Sequence, residues 1–160
     1  MDELAVKRAQ KLLQAGLEAV ARGQVAVALE NFRSSAKEHG TADAITYWGW
    51  MEHQVGNTEM AIELCKKAIA LDPEFGNPYN DIGSYLISQS KFDEAIPWLE
   101  KAKGATRYEP RQFPFINLSR AYLAKQMPLK ALEELELARK IAPNDLHVLN
   151  MLEELKGSIQ

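Results

Sequence analysis

Residues 79–102, YNDIGSYLISQSKFDEAIPWLEKA, read as two helix-like segments. Each sets a small residue, Gly83 in the first and Ala95 in the second, among larger apolar ones. Glycine costs about 1 kcal/mol of helix propensity relative to alanine, so its place inside a helix asks for a packing reason. The same arrangement returns along the chain. An alanine followed by an apolar residue occurs at Ala28, Ala61, Ala95 and Ala131, at intervals of 33, 34 and 36 residues. Twelve positions before these alanines stand Gly16, Gly49, Gly83 and Ser119. Five before stand Gly23, Gly56, Ser90 and Gln126, and seven after stand Ser35, Ala68, Ala102 and Ala138. Pro73 and Pro143 follow twelve residues after the second and fourth alanines.

Self-similarity at a fixed period marks a chain built from one repeated supersecondary unit. Each unit predicts a helical hairpin. The Gly or Ser and the Ala sit where its two helices cross, because small side chains let backbones approach while larger neighbours interlock around them. The residue five before the alanine serves the turn, where glycine adopts positive φ cheaply. The later Ala or Ser faces the next unit, and proline stops the second helix. Helices are expected at 3–22, 25–38, 42–54, 58–71, 76–89, 92–105, 112–125, 128–141 and 145–158. Pro128 falls in a first turn, where a missing N–H is harmless. Pro97 falls deeper in its helix and should bend it or weaken one hydrogen bond.

This pattern resembles the tetratricopeptide repeat, a helix–turn–helix unit of about 34 residues. Units lie at 9–41, 42–75, 76–111 and 112–145, with a capping helix at 146–158. The second is the most regular, with Trp48-Gly49, Gly56, Ala61, Ala68 and Pro73. The first is the most degenerate, with Ser35 for the second alanine and Gly40 where proline would stand. The third carries extra residues in GATRYEPRQFP before the next hairpin. In the cap, Leu146, Leu149, Leu152 and Leu155 form the expected apolar row. The resemblance implies one all-α domain over residues 1–160: a right-handed superhelical solenoid of antiparallel helix pairs, four units plus the cap.

The resemblance also implies where binding occurs. Stacked hairpins curve, and the first helix of each unit lines the concave face. In the family pattern the second, fifth, sixth, ninth, twelfth and thirteenth positions of a unit face that groove. From them come the candidate peptide-binding residues Tyr47, Trp50, His53, Asn77, Asn80, Asp81, Ser84, Phe113, Asn117 and Arg120. Trp48, just before Gly49, reads as core. Trp50 lies about 200° further round the helix and cannot share that face. Two readings of Trp50 stand: an anchor for a ligand side chain, or packing on the neighbouring first helix. Asn80, Asn117 and Arg120 could hydrogen-bond an extended backbone, and Arg120 could take a carboxylate with two bonds. Family members that clamp a chaperone's terminal carboxylate carry Lys and Asn in the first unit. Here those places hold Leu13 and Leu17, so that specificity is not expected.

Composition changes this picture little. The chain has 160 residues, 46% of them apolar and 26% charged, as expected of a soluble globular protein. Its net charge of −3 excludes a strong field toward nucleic acid or an anionic membrane. By unit the charge runs +1 for residues 1–41, −4 for 42–75, 0 for 76–111, +1 for 112–145 and −1 for 146–160. The acidic second unit argues against RNA in the groove and hints at a basic partner segment. No apolar stretch approaches the roughly 20 residues that span a bilayer, and MDELAVKRAQKLL lacks a signal peptide's features. A cytoplasmic protein is therefore expected.

The single cysteine, Cys65, sits at a large-residue position and reads as a buried, inert thiol. Glu133, Glu134 and Glu136 read as a solvated face. There is no HExxH, no phosphate loop and no paired Cys/His spacing, so neither enzyme activity nor a cofactor nor a metal is expected. The expected function is a non-catalytic adaptor that binds a peptide or partner segment in its groove. The alternative is a self-assembling scaffold in which Leu13, Leu17 and Val20 of the first helix receive another copy.

Overall fold

The computed structural model describes residues 2–159; the outermost positions of the expected 1–160 domain lie outside it. Among the described residues there are nine α-helices and no strand. They are α1 (Glu3–Ala21), α2 (Val25–Glu38), α3 (Ala42–Gln54), α4 (Thr58–Leu71), α5 (Asn77–Ser88), α6 (Phe92–Lys103), α7 (Phe113–Ala124), α8 (Pro128–Ile141) and α9 (Leu146–Ile159). Helices α1 and α2, α3 and α4, α5 and α6, and α7 and α8 pack as hairpins, and each second helix packs on the next hairpin's first. On the inner side α3 also touches α5, and α5 touches α7. The second helices meet chiefly through the hairpins between them. The first helices thus lie closer together than the second ones, so the stack curves with α3, α5 and α7 on its concave side.

The small residues act at the crossings as the pattern requires. A β-carbon on Gly83 would fall 2.4 Å from Cγ of Leu99, and one on Gly16 would fall 2.4 Å from Cε1 of Phe32. Leu99 and Phe32 fill the space that the glycines leave, and both are wholly buried with Ala28, Ala61, Ala95 and Ala131. At the fourth crossing Ser119 is buried, and its hydroxyl donates to the carbonyl of Ile116 at 2.6 Å. Ser35, the other polar substitute, donates back within its own hairpin, from α2 to the carbonyl of Ala9 on α1 at 2.8 Å, rather than toward the next unit as expected. Each donor is therefore satisfied within the core. The four turns share one backbone solution: φ is 71° at Gly23, 96° at Gly56, 59° at Ser90 and 60° at Gln126.

The structure departs from several expectations. In α9 the buried row is Val148, Leu152 and Leu155, while Leu146 is 73% exposed and Leu149 faces solvent. A spacing of three falls about 60° short of a full turn, so Leu146 lies about 180° from Leu155. Glu134 is no solvated charge: it is half-buried against Lys103, whose Nζ lies 2.9 Å from Oε2. Burial pushes its carboxyl up, and the Lys103 hydrogen bond opposes this. Leu13, Leu17 and Val20 are partly buried and pack with Ala19, Ala28, Phe32 and Met51 in the chain's own first core cluster. Cys65 is fully buried, and burial raises its thiol well above the ordinary range. Trp48 is half-buried rather than sealed in, and its indole N–H donates to Glu52 at 3.0 Å.

The extra residues between α6 and α7 form a strap across two hairpins. Arg107 N–H donates to the Glu74 carbonyl, and Gly76 N–H to the Arg107 carbonyl, each at 2.9 Å. The Arg107 guanidinium lies over Phe75, 4.0 Å from the ring centre, and bonds both Asp72 and Asp43. Asp43 opens α3, so the strap links the second hairpin to the joint between the third and fourth.

Candidate functional site

All ten candidate groove residues fall on the inner helices: Tyr47, Trp50 and His53 on α3, Asn77, Asn80, Asp81 and Ser84 on α5, and Phe113, Asn117 and Arg120 on α7. Their environments differ. Asn80 and Asn117 are buried and bonded to each other, with Nδ2 of Asn117 donating to Oδ1 of Asn80 at 2.9 Å. Arg120, exposed on the groove, donates to Oδ1 of Asn117 at 3.1 Å. Arg120, Asn117 and Asn80 thus form an oriented amide chain from α7 to α5. Asn77 is turned to the strap, where its amide donates to the carbonyl of Glu109 at 3.3 Å.

On α3, Tyr47 stacks on Phe32 at 5.2 Å. Trp50 is half-buried and packs with Tyr47 and Trp48 on the first core cluster, so its ring is held by the fold and only part of it meets solvent. His53 stacks on Tyr85 of α5 at 4.4 Å, and its Nδ1 lies 3.0 Å from the hydroxyl of Thr58. Burial lowers the tendency of His53 to take a proton. At the other end of the groove Phe113 is 42% exposed. With Ile116, Asn117, Arg120, His147 and Met151 it lines an open pocket of about 420 Å³.

Asp81 lies on α5, half-buried as a residue, with protein packed closely round its carboxyl and near enough to Tyr47 of α3 for its charge to be felt there. Burial pushes it up to about 7, and the Asn80 side chain offsets this only in part. Burial raises the hydroxyls of Tyr47, Tyr85 and Tyr108, and the negative field of Asp81 adds to it at each. Asp43 and Glu52, the acids of α3, are engaged: Asp43 by Arg107, and Glu52 by Trp48 and Asn57. Among the described residues Asp81 has no such counter-charge.

Sequence reasoning missed Tyr85, His147 and Met151. Tyr85 stands one turn after Asp81, a spacing that places both on one side of α5 and could have flagged it. His147 and Met151 belong to α9, which lies beside α7 on the pocket as a further inner helix would. Reading α9 only as a cover hid them. The arrangement offers hydrogen-bond donors, exposed aromatic area and a carboxylate along one concave face, and no group of three or more His, Cys, Asp or Glu residues placed to hold a metal among the described residues.

Comparison with known proteins is consistent with this architecture. A profile of the tetratricopeptide repeat matches residues 49–75 and 77–107. The type IV pilus assembly protein PilF of Pseudomonas aeruginosa is 30% identical over 132 residues, which are 82% of this chain and 50% of that protein. The chain thus spans about half the length of the curated relative it matches. The structure solved for the functional characterisation of Pseudomonas aeruginosa PilF superposes with a TM-score of 0.85 at 25% identity, over 94% of this chain and 68% of that one. The crystal structure of YrrB, described as a repeat protein with an unusual peptide-binding site, superposes with a TM-score of 0.70 at 20% identity. It matches over 91% of this chain and 74% of that one, a likeness of fold.

Proposed function

Because the chain belongs to the tetratricopeptide-repeat family, we propose that it is a non-catalytic adaptor whose concave face holds an extended segment of a partner protein. The observation that carries this is the Arg120–Asn117–Asn80 chain beside the Phe113 pocket. The two buried amides fix each other and aim Arg120, so an exposed guanidinium stands pre-oriented next to exposed aromatic surface. A flexible peptide loses less ordering entropy on such a surface than on one that must itself be ordered. Phe113 and the open part of Trp50 would bury apolar side chains, and Arg120 would bond the segment's carbonyls or a carboxylate. The relative's role in pilus assembly makes an assembly protein the first partner class to screen. The self-assembly alternative has weaker support, because Leu13, Leu17 and Val20 are engaged within the chain's own core.

Display of a random-peptide library against the folded protein tests this reading. Selected peptides should bind wild type and lose at least about tenfold in affinity on Arg120→Ala or Trp50→Ala, with helical content intact. Peptides that bind equally well to both variants would place the site elsewhere.

A further inference from the structure

Most polar groups on the concave face are spoken for: Asn80 and Asn117 by each other, Asn77 by the strap, His53 by Thr58 and Tyr85. Two groups on the inner side of α5 are not. Asp81 has no counter-charge among the described residues, although Asp43 and Glu52 on the facing helix each have partners. Tyr85, four residues on, is 3% exposed, and its hydroxyl is buried with no hydrogen-bond partner among the described residues. An orphaned buried hydroxyl and an uncompensated carboxylate each cost stability, and here they stand one helical turn apart.

We infer that the α3–α5 seam is a subsite for one cationic side chain, Lys or Arg, of the bound segment, with Asp81 as counter-charge, the Tyr85 hydroxyl as an acceptor and Tyr47 as an aromatic wall. This deepens the groove reading and rests on it. A carboxylate excludes an anionic group. A neutral donor would leave the charge uncompensated, whereas an ammonium or guanidinium satisfies both it and a hydroxyl oxygen. Tyr47 adds an electron-rich ring on the facing helix. The second unit, which supplies α3, carries −4, so the surrounding field favours the same sign of ligand. Arg107 shows the chemistry in miniature: where Asp43 and Asp72 lie within reach of the strap, a guanidinium from this chain joins them. Among the described residues Asp81 has no such group.

The test uses two synthetic peptides, acetyl-Gly-Ala-Lys-Ala-Gly-amide and its norleucine counterpart, titrated into labelled protein and followed by amide NMR. The lysine peptide should shift the amides around Tyr47, Asp81 and Tyr85 saturably, and bind about tenfold more tightly than the norleucine peptide. Asp81→Asn, which removes a charge without removing volume, should abolish that preference. Equal binding of the two peptides, retention of the lysine preference in Asp81→Asn, shifts confined to Asp43 and the strap, or no shifts at all would each overturn the subsite. The groove reading is judged separately, by whether library-selected peptides depend on Arg120 and Trp50.

Discussion

The contact within a hairpin and the contact between hairpins on the concave side are built from opposite materials. At the α5–α6 crossing, Gly83, Ala95 and Leu99 meet Ile82 and Leu118, all five of them apolar and buried. At the α3–α5 seam stand Asp81, Tyr85 and His53, with a carboxylate that lacks a counter-charge and a hydroxyl that lacks a hydrogen-bond partner among the described residues. In a stack whose stability is close to a sum over units and their interfaces, the crossings can supply the folding energy. The seam is then free to hold groups that are poor for stability and useful for recognition.

The sharpest way to test that division is to damage the crossing. Leu99→Ala removes the side chain that fills the space over Gly83 and should cost about 2–5 kcal/mol, because the packed neighbours relax only in part. Urea unfolding should show a lower midpoint with broadly unchanged slope. If the loss is below about 1 kcal/mol, the crossings are not where stability resides.

The seam should respond with the opposite sign. The Asp81 carboxyl is raised from 3.8 to about 7, so between those values the folded chain keeps a proton that the unfolded chain has lost. Native stability therefore falls as pH rises through that window and levels off above it. Asp81→Asn lacks the titration. It should match wild type near pH 4 and exceed it at pH 8, by up to about 4 kcal/mol if the full shift is realised. His53 pulls the other way, since burial opposes its protonation as pH falls, but it is present in both proteins and drops out of the difference. Paired urea titrations at the two pH values measure this. A variant less stable at pH 8 would mean that Asp81 is a structural asset rather than a waiting charge.

These two regions were also unequally legible in the sequence. The crossings are written as single residues at fixed spacing, so Ala28, Gly49, Ala61, Ala131 and the turn positions located α2, α3, α4 and α8 to the residue. The seam depends on which residue of one hairpin lies opposite which residue of another. The Asn80–Asn117 bond spans 37 positions and the Arg107–Asp43 bond 64, and no local pattern encodes either. The family pattern named Asp81 and Asn80 as groove residues alike. It could not say that one amide would be spent on Asn117 while the carboxylate stayed without a counter-charge. The cap failed for a geometric reason: leucines three apart drift around the helix, and Val148 holds the buried place that Leu146 was expected to take.

A smaller effect should appear at the turns, which set how each crossing closes. Gly56 has φ of 96°, where a β-carbon strains the backbone, so Gly56→Ala should cost about 1 kcal/mol although nothing lies within 4 Å of the added carbon. Gln126 adopts φ of 60° with a side chain already present, so Gln126→Gly should give a smaller gain. Opposite signs at two equivalent turns would separate backbone strain from lost contact. A loss at both would show that the Gln126 side chain matters more than its conformation.

The smallest effect should come from the strap, which joins the two regions from outside. Arg107 bonds Asp43 and Asp72, but all three side chains are at least one-third exposed. Water and salt therefore screen these pairs, and exposed pairs contribute little even with good geometry. The Arg107 hydrogen bond holds the Asp72 carboxyl below its ordinary range, so what stability the pair lends is present at neutral pH and fades in acid. Arg107→Ala should lower the thermal midpoint less than any change above. In 1 M salt, where the screening length falls to about 3 Å, the electrostatic part of the loss should vanish. A residue of loss will persist, because the guanidinium also stacks on Phe75, a contact that salt does not screen. If the loss is instead large and indifferent to salt, the strap works as packing. The α3–α5 seam would then owe its geometry to Arg107 rather than to the hairpins on either side.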